Sequence, residues 1–271
     1  MSTQRSDDEA VTLDQSRAGQ GDGDQESERA SDLFAHYAPP FDLTSDMLFV
    51  LALCPTRPLS RAFPGVAFVS LVGHTPLLLW FSRITQMCYH DTVGAQQCIG
   101  DTMTVLYNEL NVVVFLRQRT LFAPSIYATS ELTIQVGQGY GMPKQLTTMQ
   151  VQVGDKWFRS QVRDGTRQSV VRARLLGSGK VAAKLVSRWL PGFTWPVRFP
   201  SGSRIRALIE ETPHVQLAHV QAGQLALEAE WLPQAVTLLP MGIYLPGLRM
   251  QLPAREQDEQ CSLSRFHVDG S

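Results

Sequence analysis

Short apolar runs separated by turn residues are the feature that most limits what this chain can fold into. Residues 47–54, 76–81 and 148–153 are three such runs, and each has the length of a strand. In the third run, apolar and polar residues alternate strictly, as they do along a half-buried strand. The pattern predicts a mainly β protein of the α+β class, with an antiparallel sheet and a few helices.

Other segments show the same pattern with less regularity. Residues 65–72 and 76–81 flank the turn at residues 73–75, which predicts a hairpin. Residues 179–190 fit a helix because their apolar side chains share one side, although a strand is also compatible. The remaining predicted strands are 103–116, 156–162, 169–176, 214–220 and 225–231.

The first 32 residues differ sharply in composition from those that follow. They contain nine acidic and three basic residues and almost no large apolar side chain, so they cannot bury enough surface to offset the entropy of ordering. We therefore expect a disordered acidic tail over residues 1–32, a single domain over residues 33–253 and a polar C-terminal tail over residues 254–271. The hydrophobic content of 44% over 271 residues is sufficient for a substantial core.

Charge and cysteine content limit the classes of partner, the kinds of site and the cellular compartment that we expect. The formal net charge of -1 argues against binding to nucleic acid or to an anionic membrane, since both favour a basic surface. The longest apolar runs are too short to span a bilayer. The four cysteines include no CxxC pair. We therefore expect reduced thiols in a cytoplasmic protein, with neither a disulfide scaffold nor a metal site.

Lys144 stands out among the basic residues, because it directly follows a proline at the end of the glycine-rich stretch 137–141. Only four of the 24 basic residues are lysines. Pro143 fixes its own backbone and restricts Met142, while the glycines permit close approaches that other residues resist. A lysine held in place and partly buried can lose its proton near neutral pH and attack a carbonyl. The alternative is a lysine that ends a β-turn with its ammonium group in water.

Two further segments contain candidate active-site residues. Tyr107-Asn-Glu109 interrupts an apolar run, with Glu109 35 residues before Lys144, and Tyr244 lies in Gly242-Ile-Tyr-Leu-Pro246. Together with Gly141-Met-Pro-Lys144, they resemble the acetoacetate decarboxylase family. In that family a Gly-x-Pro-Lys segment presents the Schiff-base lysine, and an upstream Tyr-x-Glu supplies an active-site carboxylate. The resemblance extends over residues 42–250, in the order of strands and motifs.

This resemblance implies a β-rich cone or barrel with flanking helices and a largely apolar cavity. It also implies that Lys144 condenses with the carbonyl group of a small keto acid, while Glu109 orients or relays a proton at the imine. Tyr107, Val113 and Phe115 share the strand parity of Glu109, which favours a position facing the cavity over a solvated strand face. No cofactor is expected, and the family resemblance further implies a homo-oligomer.

The residue after Lys144 departs from the family pattern. In the decarboxylases a second lysine usually follows the catalytic one, and its charge helps to depress the pKa of the catalytic amine. Here that residue is Gln145. The acidic and arginine residues that commonly precede the Gly-x-Pro-Lys segment are also replaced. Both departures favour a divergent member that carries out aldol condensation and dehydration of a keto acid over simple acetoacetate decarboxylation.

Five other residues are candidate substrate ligands. Tyr244 is one, with a core aromatic side chain as the alternative. Arg57 and Arg61, in the predicted loop after the first strand, can pair with a substrate carboxylate. Gln138 and Gln145 can donate hydrogen bonds to a substrate carbonyl or satisfy backbone groups of the glycine-rich turn.

Motifs of other enzyme classes are missing from the sequence. It contains no HExxH, P-loop or G-x-S-x-G motif, so metalloprotease, nucleotide-hydrolase and serine-hydrolase functions have no specific support. The predicted function is a cofactor-independent Schiff-base lyase, either a decarboxylase or an aldolase-dehydratase. The alternative is a non-catalytic small-molecule-binding protein that keeps the same barrel.

Overall fold

The structure of the protein is a computed structural model. It describes residues 38–90, 93–100, 105–117, 120–177, 196–206, 208–211, 214–232 and 235–252. The predicted tails at residues 1–32 and 254–271 lie outside the described residues, as does the predicted helix at residues 179–190.

One sheet dominates the described part of the chain, and two helices flank it. The helices are α1 (Thr56–Ala62) and α2 (Glu131–Gly139). The strands are β1 (Ala38–Pro55), β2 (His74–His90), β3 (Gln96–Gly100), β4 (Tyr107–Phe115), β5 (Leu121–Ala128), β6 (Lys144–Leu146), β7 (Thr148–Gly154), β8 (Trp157–Asp164), β9 (Arg167–Leu175), β10 (Val197–Arg198), β11 (Arg204–Ile205), β12 (Leu208–Glu211), β13 (Gln216–Val220), β14 (Gln224–Leu225) and β15 (Val236–Leu252). The predicted mainly β fold is confirmed.

The sheet is built around long antiparallel strands. Its order is β11-β10-β5-β4-β2-β1-β15-β13-β9-β8-β7, and the short strands β3, β6, β12 and β14 add to its flanks. Strand β1 pairs along most of its length with β2 on one side and β15 on the other. Two pairings are parallel, and both involve β5, which pairs with β10 and with β6. The β5–β6 pairing holds the residues that follow α2 against the sheet.

The sheet curls until its β7–β9 end lies against β2 and β4. The side-chain amide of Asn108 on β4 donates a hydrogen bond to the carbonyl of Met149 on β7 at 3.2 Å. The rings of Phe81 on β2 and Phe158 on β8 meet edge to face, with their centroids 6.4 Å apart. The curl therefore encloses an apolar interior between the two ends of the sheet.

Strand alternation divides the core into two clusters, because successive side chains point to opposite faces of a sheet. The inner cluster lies within the curl and includes Leu48, Val50, Leu110, Val112, Tyr127, Phe158 and Tyr244. The outer cluster lies on the other face, where Val136 of α2 and Met142 pack against it, and includes Phe41, Leu43, Met87, Val113, Tyr140 and Leu245. Helix α2 thus covers the outer face of the sheet.

Two strand predictions are wrong in extent. Residues 65–72 form no strand, since only Phe68 and Leu71 make isolated bridges, and a tight turn at Val72 and Gly73 leads directly into β2. In the segment 225–231, the strand ends at Leu225, and after it only Ala229 makes an isolated bridge, to Leu232. Leu227 and Trp231 are nevertheless buried in the inner cluster, because their side chains fill the core while their backbone leaves the sheet.

The expectation that all cysteines are reduced is wrong for one pair. Cys88 on β2 and Cys98 on β3 are directly opposite each other in the antiparallel pairing, and they form a disulfide. Their separation of ten residues leaves room for the connection between the two strands, so the pairing register alone brings the sulfur atoms together. Cys54 on β1 is a buried free thiol. The cysteine content therefore no longer supports a reducing compartment.

Candidate active site

Lys144 is fixed by its backbone on both sides. Helix α2 ends at Gly139, and Gly141 turns the chain with a φ of 73°, a conformation that favours glycine. The amide of Met142 donates to the carbonyl of Gly137, and the amide of Lys144 donates to Met142, each at 2.9 Å. Lys144 then enters β6 opposite Ile126 of β5. The predicted glycine-rich turn is therefore the last turn of a helix followed by a single glycine turn.

The Lys144 side chain ends at a carboxylate. Its Nζ lies 2.5 Å from Oε2 of Glu109, and the two side chains are only 8% and 13% exposed. The other carboxylate oxygen, Oε1, accepts a hydrogen bond of 2.8 Å from the side-chain amide of Asn111. Both oxygens of Glu109 are thereby oriented, one toward the lysine and one toward the asparagine.

Strand β4 places three side chains of the site on one face of the sheet, because residues at every second position of a strand share a face. Tyr107, Glu109 and Asn111 occupy these positions. The Lys144 Nζ lies 5.9 Å from the centroid of the Tyr107 ring, within reach of a cation–π interaction. Burial, together with the charge of Glu109, raises the pKa of Tyr107 well above its ordinary value. The Tyr107 hydroxyl therefore stays protonated beside the ion pair.

Gly137 is essential to this arrangement for a reason that is not conformational. A Cβ atom at this position would lie 2.4 Å from Cδ and 2.8 Å from Cε of Lys144. The lysine side chain therefore runs directly over the Cα of Gly137, where any larger residue would displace it. The glycine-rich sequence indicates the backbone freedom of this residue but gives no sign of its role as a contact surface.

A small cavity surrounds the lysine on the outer face of the sheet. Its free volume is about 20 Å³, enough for roughly one water molecule. Most of its wall is apolar. It is lined by Phe41, Leu43, Met87, Tyr107, Thr133, Val136, Gly137, Tyr140, Met142, Lys144 and Leu252. The cavity thus combines one amine and a few hydroxyl groups with aliphatic and aromatic side chains.

Tyr244 lies on the opposite face from this cavity. It pairs with Leu48 across β1 and β15, and directly paired residues share a face of the sheet. Both belong to the inner cluster, where the Tyr244 ring packs 6.1 Å from that of Phe158. Burial raises the pKa of the Tyr244 hydroxyl. The structure therefore places Tyr244 as a core aromatic side chain, apart from Lys144.

The other predicted ligands are also absent from the cavity wall. Arg57 and Arg61 lie in helix α1, not in a loop, and both are exposed. This helix follows the end of β1 that is remote from Phe41 and Leu43, the two residues of β1 that line the cavity. Their guanidinium groups therefore have no contact with the Lys144 site.

The two glutamines lie before and after the lysine in the chain, but neither side chain lines the cavity. Gln138 lies in the last turn of α2 and Gln145 in β6, and both are exposed. Successive residues of a strand point to opposite faces of the sheet. Gln145 therefore points away from the face on which Lys144 is buried. The sequence-based assignment of Gln138 and Gln145 as substrate ligands is not supported by their positions.

Two residues of the site were missed at the sequence level. Asn111 stands two positions beyond Glu109, so the strand period that favoured Glu109 also puts Asn111 on the same face. Tyr140 lies within the glycine-rich stretch, but a tyrosine between two glycines gives no signal of its own in the sequence. Its burial becomes evident only once the segment after α2 packs against Phe41 of β1.

Other kinds of site have little basis in the described part of the chain. Among those residues, no group of three or more His, Cys, Asp or Glu side chains is arranged to hold a metal ion. None of the helices described is long and apolar enough to cross a membrane. An open groove of about 460 Å³ near Thr147 and Arg163 is lined mainly by polar residues and contains neither Lys144 nor Glu109.

Comparison with known proteins yields similarity in structure alone. No family model matches the sequence, and no curated protein matches it. The enduracididine biosynthesis enzyme MppR, complexed with the condensation product of pyruvate and imidazole 4-carboxaldehyde, has a TM-score of 0.53 at 12% identity, covering 82% of this chain and 90% of that chain. Its complex with pyruvate has a TM-score of 0.51 at 13% identity, covering 80% of this chain and 90% of that chain.

A third solved structure gives the same picture. An acetoacetate decarboxylase-like enzyme from Sphingomonas wittichii RW1 has a TM-score of 0.50 at 14% identity, covering 80% of this chain and 93% of that chain. Likeness at such low identity concerns the fold. The protein therefore has the fold of the acetoacetate decarboxylase-like enzymes, which confirms the predicted fold class and, at the level of the fold, the resemblance seen in the sequence.

Proposed function

We propose that this protein is a cofactor-independent Schiff-base lyase that acts on a small keto acid through Lys144. One observation carries the proposal: the Lys144 Nζ lies 2.5 Å from the Glu109 carboxylate, and both are mostly shielded from solvent beside an apolar cavity. An amine becomes nucleophilic only after it loses its proton. A carboxylate at this distance is placed to accept that proton.

The first half of the reaction then needs only these two residues. Glu109 takes a proton from the Lys144 ammonium group, and the free amine adds to the carbonyl carbon of the substrate. The resulting carbinolamine loses its hydroxyl group as water, with the proton returned by Glu109, and a protonated imine remains. The positive charge of this imine lies near the face of the Tyr107 ring, whose quadrupole favours a cation.

The second half depends on which bond breaks. In a β-keto acid, the carboxylate leaves as carbon dioxide and its bonding electrons form an enamine. In a 2-oxo acid with a methyl group, the imine loses a methyl proton to the Glu109 carboxylate and becomes an enamine. The enamine carbon attacks the carbonyl carbon of an aldehyde, the resulting alkoxide takes up the proton from Glu109, and the hydroxyl group of the adduct then leaves as water. Gln145, in place of a second lysine, favours the second course. MppR bound to a condensation product of pyruvate is a precedent for that course on the same fold.

Substrate entry requires the cavity to widen, because its free volume of about 20 Å³ is smaller than any keto acid. Met87 and Met142 line the cavity, and methionine side chains are unbranched and readily adopt other conformations. We therefore propose that these two side chains move aside when substrate binds. The small volume and mostly apolar wall of the cavity limit the access of water to the imine, which slows premature hydrolysis.

Trapping with borohydride tests the proposal. The protein is incubated with pyruvate, acetoacetate or 2-oxobutyrate, reduced, and weighed as an intact chain by mass spectrometry. We expect a mass increase equal to one reduced imine with at least one of these compounds. Lys144→Arg should abolish the adduct because a guanidinium does not form the imine, although it preserves the positive charge opposite Glu109.

A matched control uses the exposed Lys156 of the β7–β8 connection. Lys156→Arg should form the adduct as the unaltered protein does. If no compound gives an adduct, or if Lys144→Arg still gives one, the proposal is wrong. For a protein that forms the adduct, release of carbon dioxide from acetoacetate identifies decarboxylation, whereas a new conjugated product from pyruvate and an aldehyde identifies aldol condensation and dehydration.

A further inference from the structure

We propose that the hydroxyl group of Tyr140 donates a hydrogen bond to the carboxylate of the keto acid, which makes Tyr140 a substrate-binding and specificity-determining residue. The inference rests on the proposed function and deepens it, because it assigns the group that recognises the acid. Neither the sequence pattern nor the candidate ligands derived from it pointed to this residue.

Tyr140 belongs to the wall of the Lys144 cavity. Its side chain is only 3% exposed, and it lines the cavity together with Lys144 and Tyr107. The hydroxyl oxygen is shut off from solvent and has no hydrogen-bond partner among the described residues. Buried polar groups are nearly always hydrogen-bonded, and each exception needs an explanation. A substrate oxygen in the adjoining cavity supplies the missing partner.

The hydroxyl group is a donor under all ordinary conditions. Burial raises the pKa of Tyr140, so the phenol keeps its proton over the whole range in which the protein would act. A protonated phenol can donate to a carboxylate oxygen. Hydrogen bonds to an ionised acceptor are shorter and stronger than those between neutral groups.

Two other polar groups of the cavity wall, those of Thr133 and Lys144, already have partners. Thr133 Oγ1 donates to the carbonyl of Ser130 at 2.9 Å, and Lys144 is paired with Glu109. No arginine is among the residues that line the cavity in the described part of the chain. Neutral hydroxyl donors in a mostly apolar wall suit a monocarboxylate with a short apolar chain. A dicarboxylate would leave its second charge unpaired and buried.

The position of the Tyr140 ring is well defined. Its edge packs against Phe41, with ring centroids 6.0 Å apart and an interplanar angle of 61°. Its backbone amide donates to the carbonyl of Gly137 at 3.0 Å, so the residue that supports the Lys144 side chain also anchors Tyr140. The amine and the hydroxyl group are thus held by one short segment, which fixes the geometry between carbonyl and carboxylate recognition.

The test compares the pyruvate concentration that gives half-maximal borohydride trapping in three proteins. Tyr140→Phe removes only the hydroxyl group, and we expect this concentration to rise about tenfold, because a hydrogen bond to a charged acceptor is lost. Tyr127→Phe makes the same change in a fully buried tyrosine of the inner cluster. It should leave the concentration within about twofold of the unaltered protein.

Two further readouts separate binding from a structural role. Acetone has the carbonyl group of pyruvate but no carboxylate, so Tyr140→Phe should leave its half-maximal concentration within about twofold. The melting temperature of Tyr140→Phe should be equal to or higher than that of the unaltered protein, because the lost hydroxyl has no partner in the described part of the chain. A clear fall in melting temperature would instead indicate a structural hydrogen bond.

The outcomes that would overturn the inference are distinct from failure of the proposed function. An adduct that forms equally well in Tyr140→Phe and the unaltered protein overturns the role of Tyr140 and leaves Lys144 chemistry intact. Equal losses with pyruvate and acetone overturn the assignment to the carboxylate. The absence of any adduct in the unaltered protein overturns the proposed function itself, and the inference with it.

Discussion

At the scale of single residues, the site depends on the absence of a side chain at Gly137. The Lys144 side chain passes over this glycine on its way to the carboxylate of Glu109. Lysine is long and flexible, so without a surface to lie on it would be free to sample many conformations. The absence of a side chain at residue 137 therefore positions the amine.

Gly137→Ala tests this dependence. The added Cβ would lie 2.4 Å from Cδ of Lys144, and the flexible lysine must move away from Glu109 to relieve the clash. We expect the rate of imine trapping to fall roughly a hundredfold, since a misplacement of about 1 Å has effects of this size. The free energy of unfolding should change by less than about 1 kcal/mol, because alanine favours the helix.

Gly223→Ala is the matched control, since its added Cβ would make only an ordinary contact of 3.8 Å with the carbonyl of Gln221. Its trapping rate should equal that of the unaltered protein. A trapping rate that is unchanged in Gly137→Ala would contradict the positioning role. Unfolding of that variant would show instead that the clash falls on the fold.

The sequence predicted part of this site, Lys144 from its glycine-rich segment and Glu109 from the family resemblance and the parity of its strand. Gly141-Met-Pro-Lys144 and Tyr107-Asn-Glu109 lie far apart along the chain, and the structure brings their charged groups into contact. Their catalytic roles stay predictions. Tyr244 was misplaced because a motif gives no strand face, and the face follows from its pairing with Leu48. Tyr140 was missed because its burial depends on how α2 docks on the sheet.

At the scale of elements, strand period and pairing register decide which residues meet. Strand β4 presents Tyr107, Glu109 and Asn111 to one side and Leu110 and Val112 to the other. Regular alternation made the strand at residues 148–153 predictable, and it corresponds to β7. The hairpin limb at residues 65–72 was wrong because local apolar content does not reveal whether a partner strand lies alongside.

Register also explains the disulfide between β2 and β3. Cys88 and Cys98 are paired directly, next to Met87, which lines the Lys144 cavity. Cleavage after Tyr89 by chymotrypsin should therefore leave two peptides joined through Cys88 and Cys98, which separate only after reduction. Mass spectrometry of the unreduced digest, with free thiols alkylated beforehand, measures this. Alkylated Cys88 or Cys98 in the native protein would contradict the pairing.

At the scale of the whole molecule, the curled sheet has a core on each face, and groups with raised pKa values are buried in both. Burial raises the pKa of Cys54 from 9.0 to about 11. It also raises the pKa values of Tyr127, Tyr140 and Tyr244. The folded protein therefore keeps protons that the unfolded chain releases at alkaline pH.

The consequence is a loss of stability at alkaline pH. Because the unfolded chain binds fewer protons there, the free energy of unfolding falls as pH rises. It should begin to fall near pH 8 as Cys54 titrates in the unfolded state, and it should fall more steeply from about pH 9 as the tyrosines follow. Cys54 should account for about 1 kcal/mol of the decline between pH 9 and pH 10. Urea unfolding at a series of pH values measures this.

Cys54→Ala is the control for the first part of the decline. It removes the thiol, so the decline between pH 9 and pH 10 should become smaller by about 1 kcal/mol, while the part of the decline that comes from the tyrosines persists. A decline between pH 9 and pH 10 that is the same in both proteins would show that Cys54 is not its source.

The central claim is that Lys144 is the residue that forms the imine. Tandem mass spectrometry of the proteolysed, borohydride-reduced adduct with a keto acid tests it most directly, because the chain has four lysines, Lys144, Lys156, Lys180 and Lys184. We expect the added mass on Lys144 alone. An added mass on any of the other three lysines, with Lys144 unmodified, would contradict it.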